Sequence, residues 1–483
     1  MKLGDLLKKV DIMTCKADLD IDISGVGYDS RAVCAGNLFV AIRGHEFDGH
    51  SYISDAVSKG AVCIICEERP YIDTQYIIVE NTRKALAIIS AAWFGNPADK
   101  LTLIGVTGTN GKTTVTTLLK ALIEECDNTK VGLIGTNGNY IGEKEYLTTL
   151  TTPESYDIHK LFKSMVDENC KYAVMEVSSH ALVLNRVYGI TFEIGIFTNL
   201  TPEHLDFHKT MDEYAKAKSL LFQNSRNSII NIDDEYAQIM INNAKDAVFT
   251  YSIDNDNADL VGKEVHLKPG KVEFSAVCGN DNVEFTLNIP GMFSVYNALA
   301  TVSAALLSGF RPDNIKSALA KCKGVKGRAE VVPTNTDYTV IIDYAHTADA
   351  LITVLKMARE STSGRVVILF GCGGDRDKSK RPQMGKAAAD YSDFVIVTTD
   401  NPRTEEPNDI IKHIVEGMGD VKTPYEVIPN RVDAINWALK MSKTDDVLIL
   451  AGKGHETYQI IGKNKNHFDE REIVAEYFNK HNT

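Results

Sequence analysis

Gly105-Val106-Thr107-Gly108-Thr109-Asn110-Gly111-Lys112-Thr113-Thr114 follows the apolar run Leu101-Thr102-Leu103-Ile104 and precedes a helical pattern. Residues of these types in this order could hold a nucleoside triphosphate. Glycines let successive backbone N–H groups face phosphate oxygens, Lys112 supplies a point charge, and the Thr113 hydroxyl suits Mg2+. The following helix turns its positive end toward the same anion. The spacing departs from the full G-x-x-x-x-G-K-[ST] pattern, which would need glycine where Val106 stands.

Further along, Met175-Glu176-Val177-Ser178-Ser179-His180 ends an apolar run, and a carboxylate there is the hard oxygen donor that a divalent cation takes. His204 and His208 lie four apart, so on a helix they would share one face. They read either as metal or phosphate groups or as ordinary surface or core histidines. Four more polar loops each follow an apolar run: Asp343-Tyr344-Ala345-His346, Gly371 to Lys378, Asp400-Asn401-Pro402-Arg403 and Gly452-Lys453-Gly454-His455-Glu456. Loops at the carboxyl ends of neighbouring strands are where ligands bind in open α/β sheets, so a shared site is expected, with plain surface loops as the alternative.

Positioning such loops requires alternating strands and helices. Short strands at Leu38–Ile42 and Ala61–Cys66 and a helix at Ile53–Ser58 occupy the first part, closed by the breakers Phe94-Gly95-Asn96-Pro97. A second unit alternates through strands Tyr172–Val177, Ile194–Thr198 and Ser228–Ile232, then antiparallel strands over 259–289 and a helix Val295–Ser308. A third alternates through Thr339–Ile342, Arg365–Phe370, Phe394–Thr398 and Asp446–Leu450. The expectation is an α/β protein of three domains, 1–97, 98–326 and 327–483. These would be a small N-terminal α/β domain, a central P-loop-type parallel-sheet ATPase domain and a C-terminal doubly wound, Rossmann-like domain.

The 483 residues exceed one ordinary core, and the composition is globular. A net charge of −13 opposes a nucleic-acid surface. No apolar run is long enough to span a membrane, and nine scattered cysteines argue for a reducing compartment, so a cytoplasmic protein is expected. Cys63-Ile64-Ile65-Cys66 reads as a buried strand rather than a metal site, since no second pair accompanies it.

The ordered set Gly108-Thr109-Asn110-Gly111-Lys112-Thr113-Thr114, Glu176-Val177-Ser178-Ser179-His180, Thr198-Asn199-Leu200, His204-Leu205-Asp206, Ala217-Lys218, Tyr296-Asn297-Ala298, Gly327-Arg328, Asp343-Tyr344-Ala345-His346 and Asp400-Asn401-Pro402-Arg403 resembles the Mur ligases over essentially the whole chain. The resemblance implies ATP-dependent amide formation on a peptidoglycan precursor. An acyl phosphate of UDP-N-acetylmuramoyl-L-alanyl-D-glutamate would be attacked by the amine of meso-diaminopimelate. Implied with it are ATP contacts at Gly108 to Thr114, Asn297, Arg328, Asp343 and His346, and UDP-dipeptide contacts at Ser30, Thr151, Thr152, Ser178 and Arg186. Lys112, Glu176, His204 and Lys218 would be catalytic, with Mg2+ held by Thr113, Glu176, His204 and a carbamylated Lys218. Arg376, Asp400, Asn401, Pro402, Arg403, Gly452 and Glu456 would hold the amino acid. A monomer without nucleic-acid or membrane partners is implied. The chain departs from the family pattern at Leu184, where some relatives carry a polar contact, and at Ala348, where proline is usual.

Arg403 is expected to set the amino acid, because a guanidinium can take the far carboxylate of diaminopimelate through paired hydrogen bonds and L-lysine has none. The lysine-adding reaction is the alternative within the family. Folylpolyglutamate synthetase-like chemistry is disfavoured by the N-terminal segment carrying Asp29-Ser30-Arg31. A triphosphate-dependent kinase or binding switch is the alternative from another class.

Overall fold

The computed structural model describes residues 1–44, 48–146, 148, 150–322, 324–419 and 422–481. They divide into two compact units, 1–259 with 303–309, and 260–302 with 310–483.

The first unit opens with a five-stranded sheet, β1 Ile12–Lys16, β2 Gly25–Gly27, β3 Asn37–Val40, β4 Cys63–Cys66 and β5 Tyr76–Val79, in the order β1-β5-β4-β3-β2. All neighbours are parallel except the edge pair β1 and β5. Cys63 and Cys66 are fully buried on β4, as a core strand requires, and burial pushes the Cys66 thiol up to about 11. The helix Thr82–Trp93 closes this sheet, started by Asn81, whose side chain accepts from the N–H groups of Arg83 and Lys84.

The same unit then builds a larger sheet from β6 Thr102–Thr107, β7 Val131–Gly135, β8 Gly138–Ile141, β9 Lys144–Tyr146, β10 Tyr172–Glu176, β11 Phe192–Phe197, β12 Ser225–Asn231 and β13 Ala247–Ser252, ordered β13-β12-β11-β6-β10-β7-β8-β9. From β13 to β7 the strands are parallel. Their near-continuous apolar runs fit a sheet covered by helices on both faces. The tips of β6, β10 and β11 therefore lie side by side, which gathers the loop after Thr107, Glu176 and the Thr198-Asn199 turn.

The second unit contains the antiparallel meander β14 Leu260–Lys268, β15 Lys271–Cys278 and β16 Asp281–Leu287. Its main sheet is β17 Glu330–Val332, β18 Thr339–Asp343, β19 Val366–Phe370, β20 Phe394–Val397, β21 Tyr425–Val427 and β22 Val447–Ala451, ordered β17-β18-β22-β19-β20-β21 and parallel from β18 onward. A small hairpin, β23 Tyr458–Ile461 and β24 Asn464–His467, follows.

The expected strands fall within a few residues of these. The expected helix at 295–308 runs Met292–Leu307, one turn earlier at its start. The hairpin β7–β8 and the helix Ser155–Asp167 are additional: the Thr-rich and Gly-rich stretch between them carries no clear period. Ala348 is the first residue of the helix Ala348–Ser361, the position where proline sits comfortably, so alanine leaves the start intact under the Thr347 cap.

Candidate active site

The loop after β6 is pinned to the tip of β11. Thr109 N–H donates to Asn199 O at 2.8 Å, Asn110 N–H to Asn199 Oδ1 at 2.9 Å, and Thr198 Oγ1–H to Asn110 O at 2.6 Å. Gly108 is obligatory there, since φ is +149° and a Cβ would fall 1.9 Å from Thr198 Oγ1. Gly111 precedes the helix Lys112–Asp127 at φ +87°. Lys112 folds back, its Nζ donating to Gly108 O at 2.9 Å and Thr109 O at 2.8 Å. Thr114 is half-buried on the same first turn.

Thr113 Oγ1–H donates to Glu176 Oε1 at 3.0 Å. Glu176 is buried at the tip of β10 and also accepts from Thr136, through its N–H at 2.8 Å and its hydroxyl at 3.0 Å. Lys218, on the helix Met211–Ser219, is fully buried, with Nζ donating to Gly108 O at 2.8 Å and lying 4.4 Å from the centre of the Tyr214 ring. Burial, and then the Lys112 charge, hold its pKa well below the ordinary lysine value.

The two histidines separate. His204 stands outside the short helix Leu205–His208, as its cap at φ +56°, with its ring edge-on to His180 at 4.9 Å. His208 is a core residue, pairing with Ser179 Oγ at 2.8 Å and stacking on Tyr214. The expectation that both share one helical face is corrected here, because His204 takes a left-handed backbone that ends the helical repeat.

Thr151, Thr152, Ser178 and Arg186 meet beside Glu176. Thr151 shares a hydroxyl hydrogen bond with Thr136 at 3.0 Å, and Thr152 Oγ1–H donates to Glu176 O while accepting from Ser178 N–H. Arg186 donates to Thr152 O at 3.0 Å and to Glu154 at 2.8 Å, and Arg83 from the helix Thr82–Trp93 reaches the same carboxylate at 3.1 Å. Leu184 follows the short helix that Ser178 caps. Ser30 lies buried on the five-stranded part of the unit, its carbonyl accepting from Lys59 Nζ at 3.0 Å.

In the second unit, Gly371, Arg376, Asp400, Asn401, Arg403, Gly452 and Glu456 line one cavity of about 420 Å3, together with His346 and Tyr344. Lys453, fully buried, joins two of these lining residues, donating to Asn401 Oδ1 at 2.9 Å and Glu456 at 3.0 Å, and Asn401 Nδ2–H donates to Glu456 at 2.9 Å. Gly452 sits at φ +107°, where a Cβ would meet Asp400 Oδ2 at 2.7 Å. Arg403 donates to Gly374 O at 2.8 Å, and its own backbone, at φ +51°, is clasped by the hairpin: N–H to Ile460 O at 3.1 Å, carbonyl from Gly462 N–H at 2.7 Å. Glu405 pairs with Arg381, whose fork, with the Asp375 N–H, holds that carboxyl at about 2. Pro402 is buried behind the wall.

Arg328 lies 5.3 Å from the Tyr344 ring centre, and His346 Nδ1 meets Tyr344 O at 2.9 Å. Asp343 accepts from Ala329 and Ala345 N–H groups, yet burial still raises its pKa. Asn297 is buried on the helix Met292–Leu307.

Among the described residues no cluster of three or more His, Cys, Asp or Glu side chains forms a ready metal site. The Thr113 and Glu176 oxygens, already 3.0 Å apart, are nevertheless the hard donor pair that Mg2+ takes. Thr136 is a site residue the sequence did not single out, and Lys453 is named there only within its loop, with no role. Lys453 had a signal, a lysine between two glycines after an apolar run; Thr136 had none.

Three family models match the chain: Mur ligase family, catalytic domain over residues 22–94, Mur ligase middle domain over 106–305, and Mur ligase, glutamate ligase domain over 327–454. A curated relative in Clostridium tetani, named UDP-N-acetylmuramoyl-L-alanyl-D-glutamate--2,6-diaminopimelate ligase, is 47% identical over 99% of both chains. One of the same name in Caldanaerobacter subterraneus subsp. tengcongensis is 49% identical over 99% of this chain and 98% of its own. A solved structure of a ligase of that name superposes with a TM-score of 0.79 at 30% identity, covering 100% of this chain and 99% of that one. With the strand-tip loops arranged as above and relatives matched end to end, the chain belongs to the Mur ligase family.

Proposed function

We propose that this chain joins meso-2,6-diaminopimelate to UDP-N-acetylmuramoyl-L-alanyl-D-glutamate, with ATP as co-substrate. The observation that carries the choice of amino acid is Arg403, lining the second unit's cavity with Arg376 beside it and Glu456 opposite in charge. Two carboxylates and two ammonium groups on one small molecule need such a mixed set.

A carboxylate acylates poorly, so the D-glutamate side-chain carboxylate first takes the γ-phosphoryl group. A C–O–P bond forms, the bond to the β-phosphate oxygen breaks, and ADP leaves. The amine then attacks the acyl carbon, phosphate departs, and the nitrogen gives up a proton to leave the amide. Lys112 and the N–H groups of the 108–114 loop hold the triphosphate; Asn297, Arg328, Asp343 and His346 are the ATP contacts that the second unit supplies in this reading. Thr151, Thr152, Ser178 and Arg186 place the acceptor carboxylate, with Ser30 toward the uridine end. Mg2+, held by Thr113, Glu176, His204 and Lys218 as its carbamate, would supply positive charge where two anions must meet. In this reading residues 1–97, 98–326 and 327–483 act as UDP-binding, ATP-binding and amino-acid-binding domains of a cytoplasmic monomer. No helix among the described residues is long and apolar enough to cross a membrane.

Turnover with the authentic UDP-dipeptide is the test. Phosphate release requiring both that substrate and diaminopimelate is expected; preference for L-lysine, or release without an amino acid, overturns the reading.

A further inference from the structure

Arg431 and Glu470 form an ion pair 2% and 0% exposed, behind the second unit's cavity. Arg431 Nε and Nη2 donate to Glu470 Oε1 at 2.9 and 2.8 Å. The same guanidinium reaches two backbone carbonyls, Ala451 O at 2.7 Å and, more weakly, Thr399 O at 3.5 Å. Ala451 and Thr399 directly precede Gly452 and Asp400, both of which line the cavity. Ala451 ends β22 and Thr399 lies two residues past the end of β20, strands that flank β19 in the sheet, so one guanidinium joins the chain leaving both.

The pair is costly for what it adds to stability. Glu470 Oε2 is buried with no hydrogen-bond partner among the described residues, and the Asp400 carboxylate repels it. Apolar side chains of similar volume commonly match or exceed such a buried pair in stability. An apolar pair cannot, however, donate to two carbonyls on loops from different strands. Between the same loops, Lys453 ties Asn401 to Glu456. The Asp400 and Gly452 loops are thus bridged twice, by Lys453 and by Arg431.

We propose that Arg431, held in orientation by Glu470, is a positioning residue for the incoming amino acid, setting the spacing of the Asp400 and Gly452 loops. This rests on the reading that the cavity takes the amino acid. The test compares the full-length wild type, Arg431→Met/Glu470→Leu and Arg431→Lys for melting temperature and for KM toward each of the three substrates. The probe is whichever of diaminopimelate and lysine the wild type turns over faster, so a lysine-preferring wild type sinks the functional reading and leaves this comparison intact. In the double variant the amino-acid KM is expected to rise about tenfold, the scale of one charge-assisted hydrogen bond, with KM for ATP and UDP-dipeptide within about twofold. Arg431→Lys, which keeps the charge but not the fork, should show the same selective rise. An unchanged amino-acid KM in either folded variant overturns the proposal. So does equal loss for all three substrates, or failure of even Arg431→Lys to fold, since each assigns the pair to stability alone.

Discussion

Lys112 and Lys218 donate to the same acceptor, the Gly108 carbonyl, at 2.9 and 2.8 Å. Burial first, and the neighbouring Lys112 charge second, hold the pKa of Lys218 well below that of a free lysine. A neutral amine is the form that combines with CO2, so burial beside Lys112 favours converting Lys218 into an anionic ligand. Lys218→Met is expected to lower kcat by about 100-fold, the cost of removing one preorganised charged group, with the KM for ATP little changed. Wild-type activity should fall in CO2-depleted buffer and return with bicarbonate; a rate indifferent to both would count against the carbamate.

Arg403 permits a cleaner substitution than alanine. Its φ of +51° disfavours most side chains, while asparagine tolerates that region, so Arg403→Asn keeps the backbone clasp and removes only the guanidinium. The KM for diaminopimelate should rise about 10- to 100-fold, the range for losing a hydrogen-bonded ion pair, and the lysine KM should not. Parallel loss for both amino acids would place Arg403 outside the specificity contact.

Glu154 neutralises two guanidinium groups, those of Arg83 and Arg186, in a half-buried setting. Glu154→Ala should destabilise the first unit by about 3 kcal/mol, because it strands both charges. Denaturant titration of the variant against wild type checks this. Adding the UDP-dipeptide, whose carboxylate can take the vacated place, should recover part of the loss.

His159 is buried on the helix Ser155–Asp167, edge-on to Phe162, and burial lowers its pKa to about 4. The unfolded chain takes a proton near the ordinary value of 6.5, and the folded unit does not until about 4. Stability is therefore complete above 6.5, falls as pH drops through this window and levels off below 4. Between pH 7.5 and 5 the loss should be about 2 kcal/mol. His159→Gln should remove that share of the pH slope; an unchanged slope would show that His159 titrates normally.

The chemistry-bearing loops were readable because each glycine-rich or charged run follows an apolar strand, and parallel strands bring such runs to one edge. Glu176 and the Gly108–Thr114 loop are far apart in sequence but adjacent in the sheet, β10 beside β6; alternation implies that the strand tips converge, while the order itself comes only from the pairing. Thr136 was not readable: a threonine after a strand carries no mark of the carboxylate it will hold. Nor was the separation of His204 from His208, since one left-handed residue ends a helix without changing its spacing pattern. The Arg431–Glu470 pair escaped notice because charged residues in helix first turns ordinarily face solvent, and only the packed sheet shows which ones turn inward.

The clasp on Arg403 bears on how amino-acid choice could be altered by engineering. The residue and the hairpin that grips its backbone lie more than 50 positions apart in the chain, so a transplanted Asp400-to-Arg403 loop would arrive without its grip. Grafts that move 400–403 together with 458–467 should transfer selectivity, and grafts of the loop alone should give slack, promiscuous enzymes.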